Sequence, residues 1–276
     1  ELELTHRNKI GQVAYNLKGI ATVTRQKYLT ASEKGPWANS YDRWRNDNLT
    51  NRYQGVQFGY TSAGRYTSWN DIWSYPGYKE RDILPGDYKY EDWNGDGEIN
   101  GQDEHPFAFD QTPWLQFSLN AGLQWKNLDF NMLLQGSALG SMEYKEPLHE
   151  IWGKNGGGAL TQFLDRWHPV DPKADPYDPS TVWTSGHYAY TGRWAKNNSA
   201  FNRVSTAYLR LKSIELGYTF PKLKQIPNAS LRIYANAYNL LTFTGVKFVD
   251  PEHPDDDLGR MYPLNKTYTL GVSLSF

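Results

Sequence analysis

Residues 266–276 read KTYTLGVSLSF, and the interpretation of their alternation separates two architectures. Tyr268, Leu270, Val272, Leu274 and Phe276 fall on one face of a strand, with Thr267, Thr269, Gly271, Ser273 and Ser275 on the other. One face is apolar and the other is small and polar. A soluble sandwich would turn the polar row to water. An outer-membrane barrel would turn the apolar row to lipid and the small polar row to its interior. The segment by itself leaves both open.

Working outward, the same pattern returns in pairs. Residues 1–7, ELELTHR, alternate like part of a strand, His6 to Gln12 read as a tight polar turn, and Val13, Tyr15, Leu17, Ala21 and Val23 share a face of the next segment. In residues 114–124, Leu115, Phe117, Leu119, Ala121 and Leu123 alternate with Gln116, Ser118, Asn120, Gly122 and Gln124. Only WKN separates these from LDFNMLLQG, where Leu128, Phe130, Met132 and Leu134 are apolar, so a hairpin is expected with Trp125 at an interface. A third pair runs from YLRLKSIELGYTF to LRIYANAYNLL. Leu209 and Leu211 have the opposite parity to Ile214, Leu216, Tyr218 and Phe220, which calls for a bulge near Lys212 or an upper strand clear of the membrane.

The count is seven strand segments. Short turns fall at 8–11, 125–127 and 221–228, and long loops at about 25–112, 141–203 and 242–265. All short turns lie at one end and all long loops at the other, the asymmetry of a bacterial outer-membrane barrel. An odd count with a truncated first strand is not expected to close a barrel alone. Within the loops, Pro and Gly exclude regular structure over long stretches, and LTQFLDRW is the one candidate helix.

Composition agrees. The 276 residues carry 15% aromatic side chains, no cysteine and a formal net charge of -1, and the mean hydropathy is -0.73. No apolar run approaches about 18 residues, which excludes a transmembrane helix but not a transmembrane barrel. Near-neutral charge argues against a nucleic-acid footprint, and the lack of Cys removes disulfides, thiolate catalysis and Cys-bound zinc.

Four blocks in order, PGDYKYEDWNGDGEINGQD, AYLRLKSIELGYTFP, ANAYNLLTFTGVKFVDPE and YPLNKTYTLGVSLSF, resemble the carboxy-terminal part of the SusC/RagA family of TonB-dependent outer-membrane transporters. The resemblance implies an all-β transmembrane antiparallel barrel of roughly 22 strands, of which this chain would supply about seven. It further implies an amino-terminal plug and the rest of the barrel, both absent from this chain. A SusD-like surface lipoprotein and the TonB complex would be partners. The implied activity is import of a nutrient oligomer, glycan or peptide, across the outer membrane, and not catalysis.

One motif suggests an ion. Asp92, Asn94, Asp96, Gly97, Glu98, Ile99 and Asp103 fit D-x-N-x-D-G-x-I-x-x-x-D, with Asp at the twelfth position where Glu is usual. Side-chain oxygens of Asp92, Asn94, Asp96 and Asp103 and the Glu98 carbonyl would converge on calcium if the loop turns sharply at Gly97. Ile99 would anchor it apolarly, and an Asx-rich turn without an ion is the alternative.

The six histidines, at 6, 105, 149, 168, 187 and 253, have no zinc-protease spacing, and no nucleotide or nucleophile-elbow motif occurs. Trp37, Trp44, Trp69, Trp73, Trp152, Trp167, Trp183 and Trp194 lie outside the strands, where they either pack loops and a lid or stack on a ligand. A secreted carbohydrate-binding module and a glycosidase using paired loop carboxylates are the competing readings.

Overall fold

A computed structural model describes residues 1–31, 36–42, 44, 50–76, 83–145, 148–149, 159–192, 195, 198–220, 229–253 and 261–275. The seven expected strands form one antiparallel sheet. They are β1 (Leu2–Ile10), β2 (Val13–Val23), β3 (Leu115–Trp125), β4 (Leu128–Ala138), β5 (Tyr208–Phe220), β6 (Ser230–Thr244) and β7 (Thr267–Ser275). Each pairs with its neighbour in chain order, leaving β1 and β7 as edges. The first turn is tighter than expected: β1 continues through His6 to Ile10, and only Gly11 and Gln12 make the connection, with Gly11 at φ 59°. The turn at 221–228 and Phe276 lie outside the described residues.

Register carries the apolar rows across the sheet, because directly opposed residues of antiparallel strands share a face. One row runs Tyr15, Leu123, Phe130, Leu216, Ala235, Leu270; the next toward the turns runs Ile10, Val13, Trp125, Leu128, Tyr218, Ile233, Val272. The pairing shifts between Leu211 and Ser213 against both β4 and β6. Against β4 the extra residue is Lys212, the expected bulge, whereas against β6 the extra residue lies on β6, where Asn239 and Leu240 stand opposite Lys212. By resetting parity the shift keeps Leu209 and Leu211 on the same face as Ile214 and Leu216.

Among the described residues nothing packs over this face. Leu216, Leu270 and Val272 expose 49%, 77% and 66% of their surface, and the rows together form an apolar area that a water-facing sheet would not carry. The band also runs obliquely. On β1 its longest part is at the loop-side end, at Leu4 and Leu2, with His6 and Asn8 interrupting it before Ile10 at the turn. On β7 it occupies the turn side, from Leu274 to Tyr268, with Lys266 beyond. An oblique band is what tilted barrel strands produce. Trp125, Tyr218 and Phe220 supply aromatic rings at its turn-side margin.

The opposite face is polar and braced by charge. Arg232 donates to Asp129 at 2.5 and 3.1 Å and to Glu215 at 2.7 Å, and Asn236 donates to Glu215 at 3.4 Å. Gly217 makes room for this guanidinium, since a Cβ there would lie 2.5 Å from it. With one face apolar and the other polar, the sheet has no core of its own among the described residues.

The core lies in the loops, which hold more order than their composition suggests. The first contains paired strands Gln57–Gly59 with His105–Ala108 and Ser62–Arg65 with Tyr88–Tyr90, plus a helix at Trp69–Ser74 capped by Ser68. In the second, Ser141–Glu143 pairs with Arg203–Ser205 and His168–Pro169 with Trp183–Thr184. The candidate helix in LTQFLDRW is reduced to a 3-10 turn at Thr161–Leu164. These pieces are two to six residues long, too short for hydrophobic periodicity to reveal.

Candidate functional site: the loop-side mouth of the sheet

The three long connections fasten to one another and to the wall. Tyr60 of the first accepts from Ala200 and donates to the Asn198 carbonyl of the second, at 2.9 and 3.0 Å. Tyr144 of the second hydroxyl-bonds Lys247 of the third at 2.9 and 3.0 Å. Gln111 of the first donates to the His253 carbonyl of the third at 3.1 Å. The third is pinned to β5, where the fully buried Arg210 donates to Asp250 at 2.5 Å and to Glu252, while Tyr208 donates to Glu252 at 2.8 Å.

Between this cap and the polar face lies a cavity of 680 Å³. Wall residues Thr22, Gln116, Ser118, Gln135 and Ser137 line it, and Gln111, Thr206, Glu252 and His253 close it from the loop side. All five wall residues sit in the loop-side halves of β2, β3 and β4, so the cavity opens at the mouth. Its lining mixes these amides and hydroxyls with apolar surface from Ile20, Pro113, Phe117, Leu133 and Pro251, and the Glu252 charge is met by Arg210. Such a surface offers hydrogen bonds to polar groups and contacts to apolar ones.

Above it, the loop aromatics divide. Trp93 lies between Trp44 and His105, stacked at 5.9 and 5.0 Å with interplanar angles of 5° and 14°. Trp114 packs on Tyr53 and Phe109, under the Arg25 guanidinium at 4.8 Å. These rings hold loops together. Trp69, Trp167 and Trp183 instead line a second cavity of 340 Å³, and Trp73 is exposed. Trp152 and Trp194 lie outside the described residues.

The acidic loop adopts the expected turn. Gly97 has φ +84°, the left-handed conformation that glycine takes freely. Asp92 accepts from the Gly95, Asp96 and Gly97 amides at 2.8, 3.2 and 2.9 Å, Asn94 accepts from Asp96 at 2.9 Å, and Asp96 accepts from Glu98 at 2.8 Å. Asp92, Asn94 and Asp96 thus share the inner side of one bend. Asp103 is different. It is fully buried, and its two oxygens accept from the Trp93, Asn94 and Asn100 amides at 3.0, 3.4 and 2.7 Å. Among the described residues no group of three or more His, Cys, Asp or Glu side chains is poised to hold a metal. Asp92, Asn94 and Asp96 bend the loop through its own amides, while Asp103 closes it. Ile99 takes its expected place, buried against Tyr60 and Tyr90 in the loop core.

The sequence reading did not single out Arg210, Arg232 or the mouth cavity. Parity carried a signal for one of them: Asp129 and Glu215 both fall on the polar face, two buried-side carboxylates that need a cation between them.

A sheet with a lipid-exposed apolar face, a polar inner face and long loops gathered at one end is a wall segment of a transmembrane β-barrel. The comparisons with known proteins point the same way. No protein-family model matches the chain. It is 28% identical over 211 residues to TonB-dependent receptor P3 of Formosa agariphila, covering 71% of this chain and 19% of the relative. It is 27% identical over 239 residues to TonB-dependent receptor P26 of the same organism, covering 81% and 22%. The chain therefore spans about a fifth of the length of these curated relatives. In fold it is similar to the RagAB peptide transporter, with a TM-score of 0.58 over 99% of this chain and 28% of that one, at 18% identity. The RagAB peptide importer in its closed-closed state gives 0.59. The resemblance to the carboxy-terminal part of TonB-dependent outer-membrane transporters holds, and the chain is an outer-membrane β-barrel segment.

Proposed function

We propose that this chain is the carboxy-terminal wall and outer mouth of a TonB-dependent importer that takes a nutrient oligomer, glycan or peptide, across the outer membrane. The observation that carries the reading is the cavity of 680 Å³ held between the polar wall and three mutually fastened loops. A chamber at the loop end of a barrel wall, lined by both polar and apolar groups, is where a ligand arriving from outside would first be enclosed. The two free edges, β1 and β7, fit a barrel completed by further strands around a plug, since an open edge cannot stand in hydrocarbon. The broad aromatic loop cap fits a SusD-like surface lipoprotein, and energy would come from TonB. Calcium at Asp92, Asn94, Asp96 and the Glu98 carbonyl would stiffen the first loop. The curated relatives are named receptors, in keeping with a non-enzymatic role.

The test is a density map of the native complex purified from detergent. A closed barrel that includes β1 and β7, with a lid over the loops and ligand density against Gln116, Gln135 and Ser137, is the expected result. A water-soluble monomer with its own closed core would overturn the reading.

A further inference from the structure

The lipid-facing side of β5, β6 and β7 carries a feature that import does not use. Where neighbouring strands present Ile214 and Leu216 on one side and Tyr268 and Leu270 on the other, β6 presents only Ala235 and Ala237. The two small side chains floor a groove of 500 Å³ walled by the four larger ones. Toward the turns it is closed by the row of Tyr218, Ile233 and Val272.

Two lysines stand at its loop-side end. Lys212 is the bulge residue of β5. Leu211 pairs with Leu241 and Ser213 with Tyr238, so Lys212 lies beside Asn239. Against β4 the bulge leaves Lys212 unpaired, next to Leu211 at the level of the lipid-facing Leu134. Lys266 precedes Thr267, which pairs with Tyr238, and Asn239 donates to the Asn265 carbonyl at 3.1 Å. That bond keeps the chain at Lys266 alongside β6. The lysines therefore flank Asn239 at one level, on strands two spacings or about 10 Å apart. Neither has an ion-pair or hydrogen-bond partner among the described residues. From Phe220 to Lys212 and from Leu274 to Lys266 is one membrane span of about nine residues.

We propose that this groove binds an anionic lipid of the outer leaflet, with one acyl chain over Ala235 and Ala237 and its phosphate between Lys212 and Lys266. A cation in a lipid-facing row is costly unless it reaches the headgroup level or meets an anion. A phosphate at that level satisfies both lysines, and the chain attached to it enters an apolar groove directly beneath. The charge pair favours a lipid over a second barrel copy, whose lipid-facing surface would repeat the same two cations. The inference rests on the membrane placement of the wall and is independent of what the transporter carries.

The experiment uses the full-length transporter purified in neutral detergent, with purified lipid A added as probe and retention read by native mass spectrometry. Retention of lipid A by the parent protein is expected, falling about fivefold for Lys212→Ala or Lys266→Ala alone. Ala235→Leu with Ala237→Leu, which fills the groove but keeps both charges, should also lower it. Each variant is checked for a heat-resistant folded barrel, so loss of lipid is separated from loss of assembly. Equal retention by all folded variants would overturn the proposal, as would a second protein copy displaced by the leucine variant with lipid A unaffected.

Discussion

Arg210 of β5 donates to Asp250 at 2.5 Å, and this contact ties the third long connection to the barrel wall. The guanidinium is fully buried, and its two other donations go to Thr242 on the adjacent strand and to Glu252, whose second oxygen accepts from the Tyr208 hydroxyl. Arg210→Ala leaves two carboxylates facing a void. Asp250 and Glu252 keep some access to water, which limits the cost below that of a fully buried pair, to about 1–3 kcal/mol. The expected outcome is local: residues 245–253 become sensitive to protease while the heat resistance of the barrel is retained. Simultaneous loss of both would show that Arg210 holds the wall and not the loop.

Leu270 and Thr269 are neighbours on opposite faces of β7, and each tests the direction of the sheet. Leu270→Arg puts a cation in hydrocarbon and should destabilise the barrel by about 2–4 kcal/mol, seen as a loss of heat-resistant protein. Thr269→Arg enters the polar interior and should be tolerated. Equal tolerance would contradict the lipid-facing assignment.

How far the fold was legible follows from which residues are long enough in pattern. Seven strands of nine to fifteen residues announced themselves by a period of two, and even the bulge at Lys212 was visible as a parity conflict between Leu211 and Ile214. The loop strands are too short for this. Gln57–Gly59 and Ser62–Arg65 are held by tertiary contacts around Tyr60, Tyr90 and Phe201, which no local pattern encodes. The acidic loop was read correctly as a turn at Gly97 with Ile99 as anchor. That Asp103 accepts from three amides was not legible, because spacing identifies an oxygen and only packing shows which groups it meets.

Asp103 and Asp92 should therefore behave differently. Asp103→Ala strips acceptors from three part-buried amides and should cost the loop about 1–3 kcal/mol with or without calcium. Asp92→Ala also removes an acceptor from three amides, but these are exposed to water, so its cost without calcium should be smaller, and it should in addition remove the stabilisation that added calcium confers. The measurement is thermal unfolding followed by Trp93 fluorescence, with and without millimolar calcium. A parent protein whose midpoint does not respond to calcium would dispose of the ion.

The helix at Trp69–Ser74 offers a pH test. Burial raises the Asp71 carboxyl, but the Lys89 ammonium at 2.6 Å and the Thr67 hydrogen bonds more than offset it, so the net shift is downward. A folded value below the unfolded one gives stability that is present above the ordinary carboxylate range and is lost as pH falls through the folded value, below about pH 4. Emission of Trp69 and Trp73 should change over that window, and Asp71→Asn should abolish the change.

The mouth cavity gives the sharpest test of transport. Ser118 and Ser137 line it from β3 and β4, on the face opposite the lipid, so a larger side chain there enters the chamber without disturbing the membrane surface. Ser118→Trp occupies part of the 680 Å³ with an indole, whereas Ser118→Ala removes only a hydroxyl. If the cavity receives substrate, the tryptophan variant should be made, inserted and heat-resistant at parental levels, yet fail to support growth on the imported oligomer. The alanine variant should import with a modestly raised half-saturation concentration. Growth of the tryptophan variant at the parental rate would place the substrate path elsewhere in the barrel, away from the wall formed by β2 to β5.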